Sequence, residues 1–361
     1  AGSGDVSIVD RRTLQEVRRL PAGREPFVVT RSPDGETIAI VSRRAELARP
    51  TELPRALVTL IDRARLQVRT HVALPSCHMS EGAAFTPDGS RLLVPAILVR
   101  NRLPILQVAR GWVMSSVLAV VDVASGAVGL LPLTEANAGF ADPSGIALSS
   151  DGRLAFVASG GLDQLARLDV PVLLEAARTA QSGQVQRLSQ TRAYLAERIP
   201  VGSNPRAVCT IRSGGRDLIA VSERLDDRVR LFEPATGRSR TVRFASMGAE
   251  GPLLRGARHF HSARFAFQKA FSCRSCHPDG HTDGLTYDFD IDGVGKNILL
   301  NRSLQGVAGT APFKWSGLNP TLQRQCGPRF AMVLTRADPM SETELNQLVA
   351  YLHSLQKPPA D

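Results

Sequence analysis

Along the first two thirds of the chain, apolar residues come in short alternating runs separated by polar turns, a period-2 pattern that predicts β-strands. Four stretches repeat one design: RSPDGETIAIVS (31–42), FTPDGSRLLVPA (85–96), LSSDGRLAFVAS (148–159) and IRSGGRDLIAVS (211–222). Each is a polar turn with Gly followed by a β-rich run, and the turn chemistry suits a tight antiparallel connection. The segments PFVVT, GAAF, PSGIAL and PRAVCT supply a strand before each turn. LVTLIDRARLQVRTHVAL, LAVVDVASGAVGLLPL, LARLDV and VRLFEPATGRSRTVRF continue the pattern after it. The turn glycines at 35, 89, 152 and 214 are 54, 63 and 62 residues apart. That is longer than the roughly 40–50 of a compact four-stranded unit, and the excess falls near 43–56, 97–116 and 172–196. Four short strands per repeat predict a β-propeller, and the near-constant spacing argues against a β-sandwich with long hairpins.

These repeats resemble the YVTN family of propellers, on RIPVGSNPRAVCTI (198–211) and RLPAGREPFVVTRSPDG (19–35). The resemblance implies that VSIVDRRTLQEVRRLPAG forms the last two strands of a blade whose other half should lie near residue 244, where no matching segment is found. Four and a half blades can be counted, fewer than the family commonly has. The blade number stays open, and the chain reads as a fragment, a processed form or a propeller completed by a partner.

At about residue 245 the strand pattern stops and helical periodicity begins, so a multidomain chain is expected: an all-β propeller over 1–245 and an all-α domain over 246–361. In SETELNQLVAYLHSL, Ser341 is the expected N-cap and Glu344 closes a capping box. Leu345, Leu348, Val349, Leu352 and Leu355 form one apolar face. Upstream, FSCRSCHPDGH carries Cys273, Cys276 and His277 as C-x-x-C-H, the pattern of covalent haem attachment, with two thiols for the vinyl groups and an imidazole for the iron. A zinc half-site would want a second Cys/His pair nearby and a thioredoxin-like motif a βαβ setting; neither context is present. Phe260, Phe265, Phe267 and Phe271 are placed to pack on the group.

Residues 250–357 resemble cytochrome c, LNQLVAYLHSL being similar to the family's C-terminal helix, which crosses the first one beside the haem edge. CHPDGHTDGLTYDF, PFKWSGLNPTL and QCGPRFA resemble the haem domains of the dihaem cytochrome c peroxidase and MauG group. The resemblance implies one covalent haem c, held by Cys273, Cys276 and His277. The chain departs from that group in having a single C-x-x-C-H, so a two-haem peroxidase mechanism is not available within it.

The sixth iron ligand separates electron transfer, which a Met thioether serves, from chemistry at an open iron. Met332, 55 residues after His277, is the leading candidate, with Met340, His281 and an open site as alternatives. Met340 directly precedes Ser341, where a hydrophobic staple already explains it. Arg258, Arg264, Arg302 and Arg329 are available to neutralise propionates. Trp315 and Tyr287 are candidates for packing against the group, and Arg329 and Trp315 are taken as its contacts. His259, His261 and His281 read mostly as surface or propionate-facing groups. Asp288-Phe289-Asp290-Ile291-Asp292-Gly293 opens like an EF-hand loop, but its twelfth position is Leu299, which argues against calcium. Cys77, His78 and Met79 in a row offer soft ligands for copper or an approach to the haem, against a preferred reading of a buried thiol beside a surface histidine.

The charge of +10 comes from scattered arginines, which favours acidic protein partners over nucleic acid. A hydrophobic content of 43% with 22% charged residues is that of a folded chain rather than a disordered one. No run of about 20 apolar residues provides a transmembrane segment. The N-terminus lacks a signal-peptide pattern, and because haem joins C-x-x-C-H outside the cytoplasmic membrane, the resemblance implies the mature form of a periplasmic or otherwise exported protein. Of five cysteines two belong to the motif, so at least one of the other three is outside any intramolecular disulfide. The leading expectation is a periplasmic electron-transfer protein with the propeller as docking or substrate-binding platform for a redox partner. A peroxidase-like oxidoreductase and a scaffold subunit of a larger redox complex are the alternatives, and whether the chain is an enzyme is open at this point.

Overall fold

The structure, a computed structural model, describes residues 4–46, 52–104, 113–179, 188–244, 250–288 and 298–357. Two strands, β1 (Asp5–Val9) and β2 (Glu16–Pro21), form a half blade. Four antiparallel sheets follow. The first is β3 (Pro26–Arg31), β4 (Thr37–Ser42), β5 (Arg55–Asp62) and β6 (Gln67–Pro75). In the second, the innermost strand is split into β7 (Cys77–His78) and β8 (Ala84–Phe85), both pairing β9 (Arg91–Val99), with β10 (Met114–Asp122) and β11 (Val128–Pro132) outside. The third is β12 (Pro143–Leu148), β13 (Leu154–Ser159), β14 (Gln164–Asp169) and β15 (Leu195–Pro200). The fourth is β16 (Pro205–Ser213), β17 (Arg216–Glu223), β18 (Arg228–Phe232) and β19 (Ser239–Arg243). A helix, Val170–Thr179, occupies part of the insertion in the third repeat.

The repeated turns fold as their residues dictate. Ser32 Oγ donates to Asp34 Oδ1 at 2.5 Å and accepts the Thr37 N–H at 2.9 Å, while Gly35 takes φ +79°. Thr86 with Asp88 and Ser149 with Asp151 repeat this lock. In the fourth repeat Gly214 and Gly215, both at positive φ, make the two-residue loop instead.

Apolar clusters lie between successive sheets, as blades packed face to face require. Leu20, Ala22, Ile40 and Ile61 join the half blade to the first sheet. Val58, Leu60, Leu92 and Val94 join the first and second, Leu118, Leu131, Val157 and Leu168 the second and third, and Phe156, Leu165, Ile219 and Val221 the third and fourth. Innermost strands approach so closely that a Cβ on Gly145 would lie 2.5 Å from the Arg206 carbonyl. The arrangement is propeller-like. β12, flanked on both sides, is buried almost throughout, whereas β3 and β16 expose Phe27, Val29 and Ile211.

Beyond the sheets, the helices Pro252–His261 and Glu342–Ser354 cross at Gly256, where a Cβ would meet the Gln347 carbonyl oxygen at 2.0 Å. Ser341 and Glu344 form the expected capping box, and Leu345, Leu348, Val349 and Leu352 bury the expected face against Phe260. This segment is not purely helical. Thr286–Asp288 pairs antiparallel with Ile298–Leu300, and much of 301–321 is irregular; Thr282 donates to the Asn301 carbonyl and the Asn301 side chain reaches back to the Cys276 carbonyl. No helix among the described residues is long and apolar enough to cross a membrane.

Candidate functional site

Cys273–Cys276 is a single helical turn that puts the two thiols one turn apart, with His277 as its C-cap. Its entry is fixed locally, since Ser272 N–H donates to Ser275 Oγ at 2.9 Å. The two cysteines face different apolar neighbours. Cys273 packs with Phe260, Val307, Leu322 and Leu352 of the helical part, and Cys276 with Met79, Ile97, Phe267, Phe271 and Leu285 at the joint with the propeller. Burial pushes the Cys273 thiol up to about 12 and the Cys276 thiol well above its ordinary value, so both stay protonated.

The residues between the cysteines anchor to the propeller. Arg274, 1% exposed, donates to Glu81 Oε1 at 2.5 Å. Glu81 lies in the break between β7 and β8 and also faces Arg206 at 2.9 Å and Arg43 at 3.5 Å. Arg43 reaches back to Asp279 at 2.6 Å and pairs with Glu25, which also binds Arg44 at 2.5 Å. Burial alone would raise the Glu81 carboxyl, but Arg274, Arg206 and Arg43 overcome it and hold it below the usual glutamate value. For Arg206 burial outweighs Glu81 and pulls the guanidinium down to about 10, still a cation at neutral pH.

His277 Nδ1 lies 3.2 Å from the His281 carbonyl, which assigns the N–H to Nδ1 and the lone pair to Nε2. Burial draws its pKa to about 4 against the opposing pull of the His281 and Arg302 carbonyls, so the ring is neutral. Beside it, Asn301 Nδ2 donates to the Cys276 carbonyl at 2.5 Å and to Asp283 Oδ1 at 3.2 Å, and Tyr287 O–H donates to Asp283 Oδ2 at 2.7 Å. Asp283 is fully buried, and burial raises its pKa to about 6 despite hydrogen bonds from Leu285, Tyr287 and Asn301. A raised carboxyl stabilises the fold fully below the unfolded value near 3.8 and loses that contribution as pH rises through 6. Asp283→Asn should therefore flatten the fall in unfolding free energy between those pH values, a difference of at most about 3 kcal/mol, measured by urea titrations across the range.

The other sequence candidates scatter. Met332 is 59% exposed and lines an open cleft of about 620 Å³ with Arg264, Phe267, Gln268 and Lys269. Leu334, from the same turn, packs in the cluster with Cys276 instead. Met340 is partly buried with the helix pair, as the staple explains. Trp315 is half exposed under the Arg302 guanidinium, 3.7 Å from its ring centroid, and donates to the Leu300 carbonyl at 3.1 Å. Arg329, on the short Pro328–Phe330 helix, has no ion pair among the described residues. Arg258 is committed to Asp226 and Glu250, and Arg264 to Glu344 and the Phe265 ring. His281 is exposed and meets Ser303 at 2.8 Å, while His259 meets Gln347 at 2.9 Å. His261 is buried, and burial with Arg274, Arg224 and Arg206 nearby keeps it neutral. His78, expected at the surface, is 1% exposed, because β7 pairs β9 and its Nδ1 accepts the Ala45 N–H at 3.0 Å. Residues 289–297 of the EF-hand-like stretch lie outside the described residues.

Sequence reasoning missed the residues that join propeller and motif: Glu25, Glu81 and Asp142. Their signal was present in the repeats, as REPFVV, SEGAAF and ADPSGIAL each carry an acid just ahead of an innermost strand, where SNPRAVCT carries Asn204.

No family model matches the chain. Over 216 residues it is 26% identical to hydrazine synthase subunit beta of Kuenenia stuttgartiensis, a match covering 58% of this chain and 54% of that protein. The chain thus spans about half the length of this curated relative. The solved structure of Kuenenia stuttgartiensis hydrazine synthase superposes with a TM-score of 0.53 at 21% identity, over 67% of this chain and 65% of that one, a likeness of fold. The periplasmic gluconolactonase PpgL of Pseudomonas aeruginosa matches at a TM-score of 0.46 and 21% identity, over 69% of this chain and 67% of that one.

Proposed function

We propose that this chain is an exported electron-transfer protein in which Cys273, Cys276 and His277 hold one covalent haem c, while the propeller serves as docking platform within a larger assembly. The observation that carries this reading is the state of His277. A metal-ligating histidine has its second nitrogen held by a carbonyl or carboxylate, and here His281 supplies that carbonyl to a neutral ring. The donor set fits as well: two protonated thiols stand one turn apart beside it. The crossing of the helices Pro252–His261 and Glu342–Ser354 supports the cytochrome c resemblance of residues 250–357.

When bound, haem c supplies one-electron chemistry at its iron. The chain's own residues orient the His277 imidazole and anchor the turn. The charge of +10 favours an acidic redox partner, whose association would weaken with salt. Similarity to a named subunit supports the larger assembly. The reading is tested by intact-mass measurement of the chain expressed with a c-type maturation system. The parent should carry the mass of haem through denaturation and the Cys273→Ala, Cys276→Ala double variant should not; a parent without that mass overturns it.

A second reading, an open iron site with peroxidase-like chemistry, is favoured by one observation. Met332 sits exposed in its cleft while Leu334 takes the place beside Cys276. Cyanide binding to the oxidised chain at low concentration supports this reading, and resistance to it supports thioether ligation.

A further inference from the structure

We infer that Asp142 of the propeller is a positioning residue for the C-x-x-C-H turn and sets the electrostatic environment of the group the turn holds. This rests on the haem reading above and assigns to the propeller a second role besides docking.

Asp142 lies just ahead of β12 and is 1% exposed. Its Oδ2 accepts the Ser272 hydroxyl at 2.5 Å and its Oδ1 the Ser275 hydroxyl at 2.6 Å, across 130 and 133 residues of sequence. Both carboxylate oxygens are thus engaged by the residues that flank and separate the cysteines. The Asp142 backbone sits at φ +51°, a left-handed conformation that costs a non-glycine residue of order 1 kcal/mol, and its carbonyl is held by the Gly160 N–H at 3.0 Å. The same left-handed conformation recurs at Glu25 (φ +54°), Met79 (φ +52°) and Asn204 (φ +53°), each ten residues ahead of its turn glycine as Asp142 is, so the backbone conformation belongs to the repeat and the two serine hydrogen bonds are what tie Asp142 to the motif.

Glu81 and Arg274 act in the same direction. Arg274 and Ser275, the two variable positions of C-x-x-C, both face the propeller, and neither side chain reaches solvent. The loops ahead of successive innermost strands supply both acids, Asp142 ten residues and Glu81 eight residues ahead of its turn glycine. Further bonds fix the flanks: Ala263 N–H to the Gly161 carbonyl at 2.9 Å, Gly139 N–H to the Gln268 carbonyl at 2.8 Å and Asn101 Nδ2 to the Thr286 carbonyl at 2.9 Å. The turn is therefore moulded by the propeller along most of its length.

A carboxylate hydrogen-bonded to the haem-bearing turn stabilises the more positive, oxidised state of the group, and engagement by two hydroxyls moderates that effect. Two variants of the full chain separate charge from contact. Asp142→Asn keeps the size and one of the two acceptor oxygens but removes the charge, and it should shift the midpoint potential in redox titration to a more positive value. Ser272→Ala with Ser275→Ala keeps the charge but frees it, and should shift the potential to a more negative value. Potentials matching the parent's in the folded variants would overturn the assignment while leaving the haem reading intact. If Asp142→Asn does not accumulate as folded protein, the serine variant alone decides. A parent with no covalent haem defeats the haem reading, and the inference with it.

Discussion

Replacing Glu81 with Gln is expected to lower the unfolding free energy of the chain by about 3–5 kcal/mol, the cost of leaving buried cations without their partner. Glu81 faces Arg274, Arg206 and Arg43, and its side chain and that of Arg274 are 2% and 1% exposed. Water cannot take over the role of the lost carboxylate. The Arg19–Glu16 pair makes the contrast, being 54% and 41% exposed at 2.6 Å, and Glu16→Gln should leave the unfolding free energy nearly unchanged. Because the Glu81 carboxyl is held below its usual value, its contribution is present above the ordinary glutamate range and is lost as pH falls through the folded value. Urea denaturation at neutral pH of the parent and both variants, with and without added salt, checks this. Salt should shrink the small effect and spare the large one.

Gly256→Val should be as damaging. The two long helices meet backbone to backbone at this position, with a Cβ falling 2.0 Å from the Gln347 carbonyl oxygen and 2.7 Å from Tyr351 Cβ. Neither neighbour is the free end of a flexible chain, so the helices must part and loosen the contacts of Phe260 with Leu345, Leu348, Val349 and Leu352. A cost of about 3 kcal/mol or more follows from forced overpacking of this kind. Thermal unfolding of the variant should begin in the helical segment, read as loss of helical signal before the β-sheet signal.

The parts of the structure legible in the sequence are those written in local periodicity. Asp34, Asp88 and Asp151 with the glycines after them fix the turns within a few residues, so the blade strands and their order could be read directly. The Ser341–Glu344 box likewise needs only three residues of separation. The half blade β1–β2 is also found with two strands among the described residues, as its sequence implied. What stayed hidden spans long separations. The Ser272–Asp142 and Arg274–Glu81 contacts cross 130 and 193 residues, and an acid in a turn looks the same whether it faces water or a buried arginine. The short β-pair at 286–300 was missed because three-residue strands carry too few positions for a period to register. His78 was misplaced at the surface because nothing local announces that its ring caps a backbone N–H 33 residues away.

The visible spectrum of the purified full chain, oxidised and then reduced, bears most directly on the central claim. It predicts the sharp α and β bands of a c-type haem on reduction, in a chromophore that stays with the polypeptide after acid–acetone extraction. A featureless spectrum, or colour that leaves with the solvent, would contradict it.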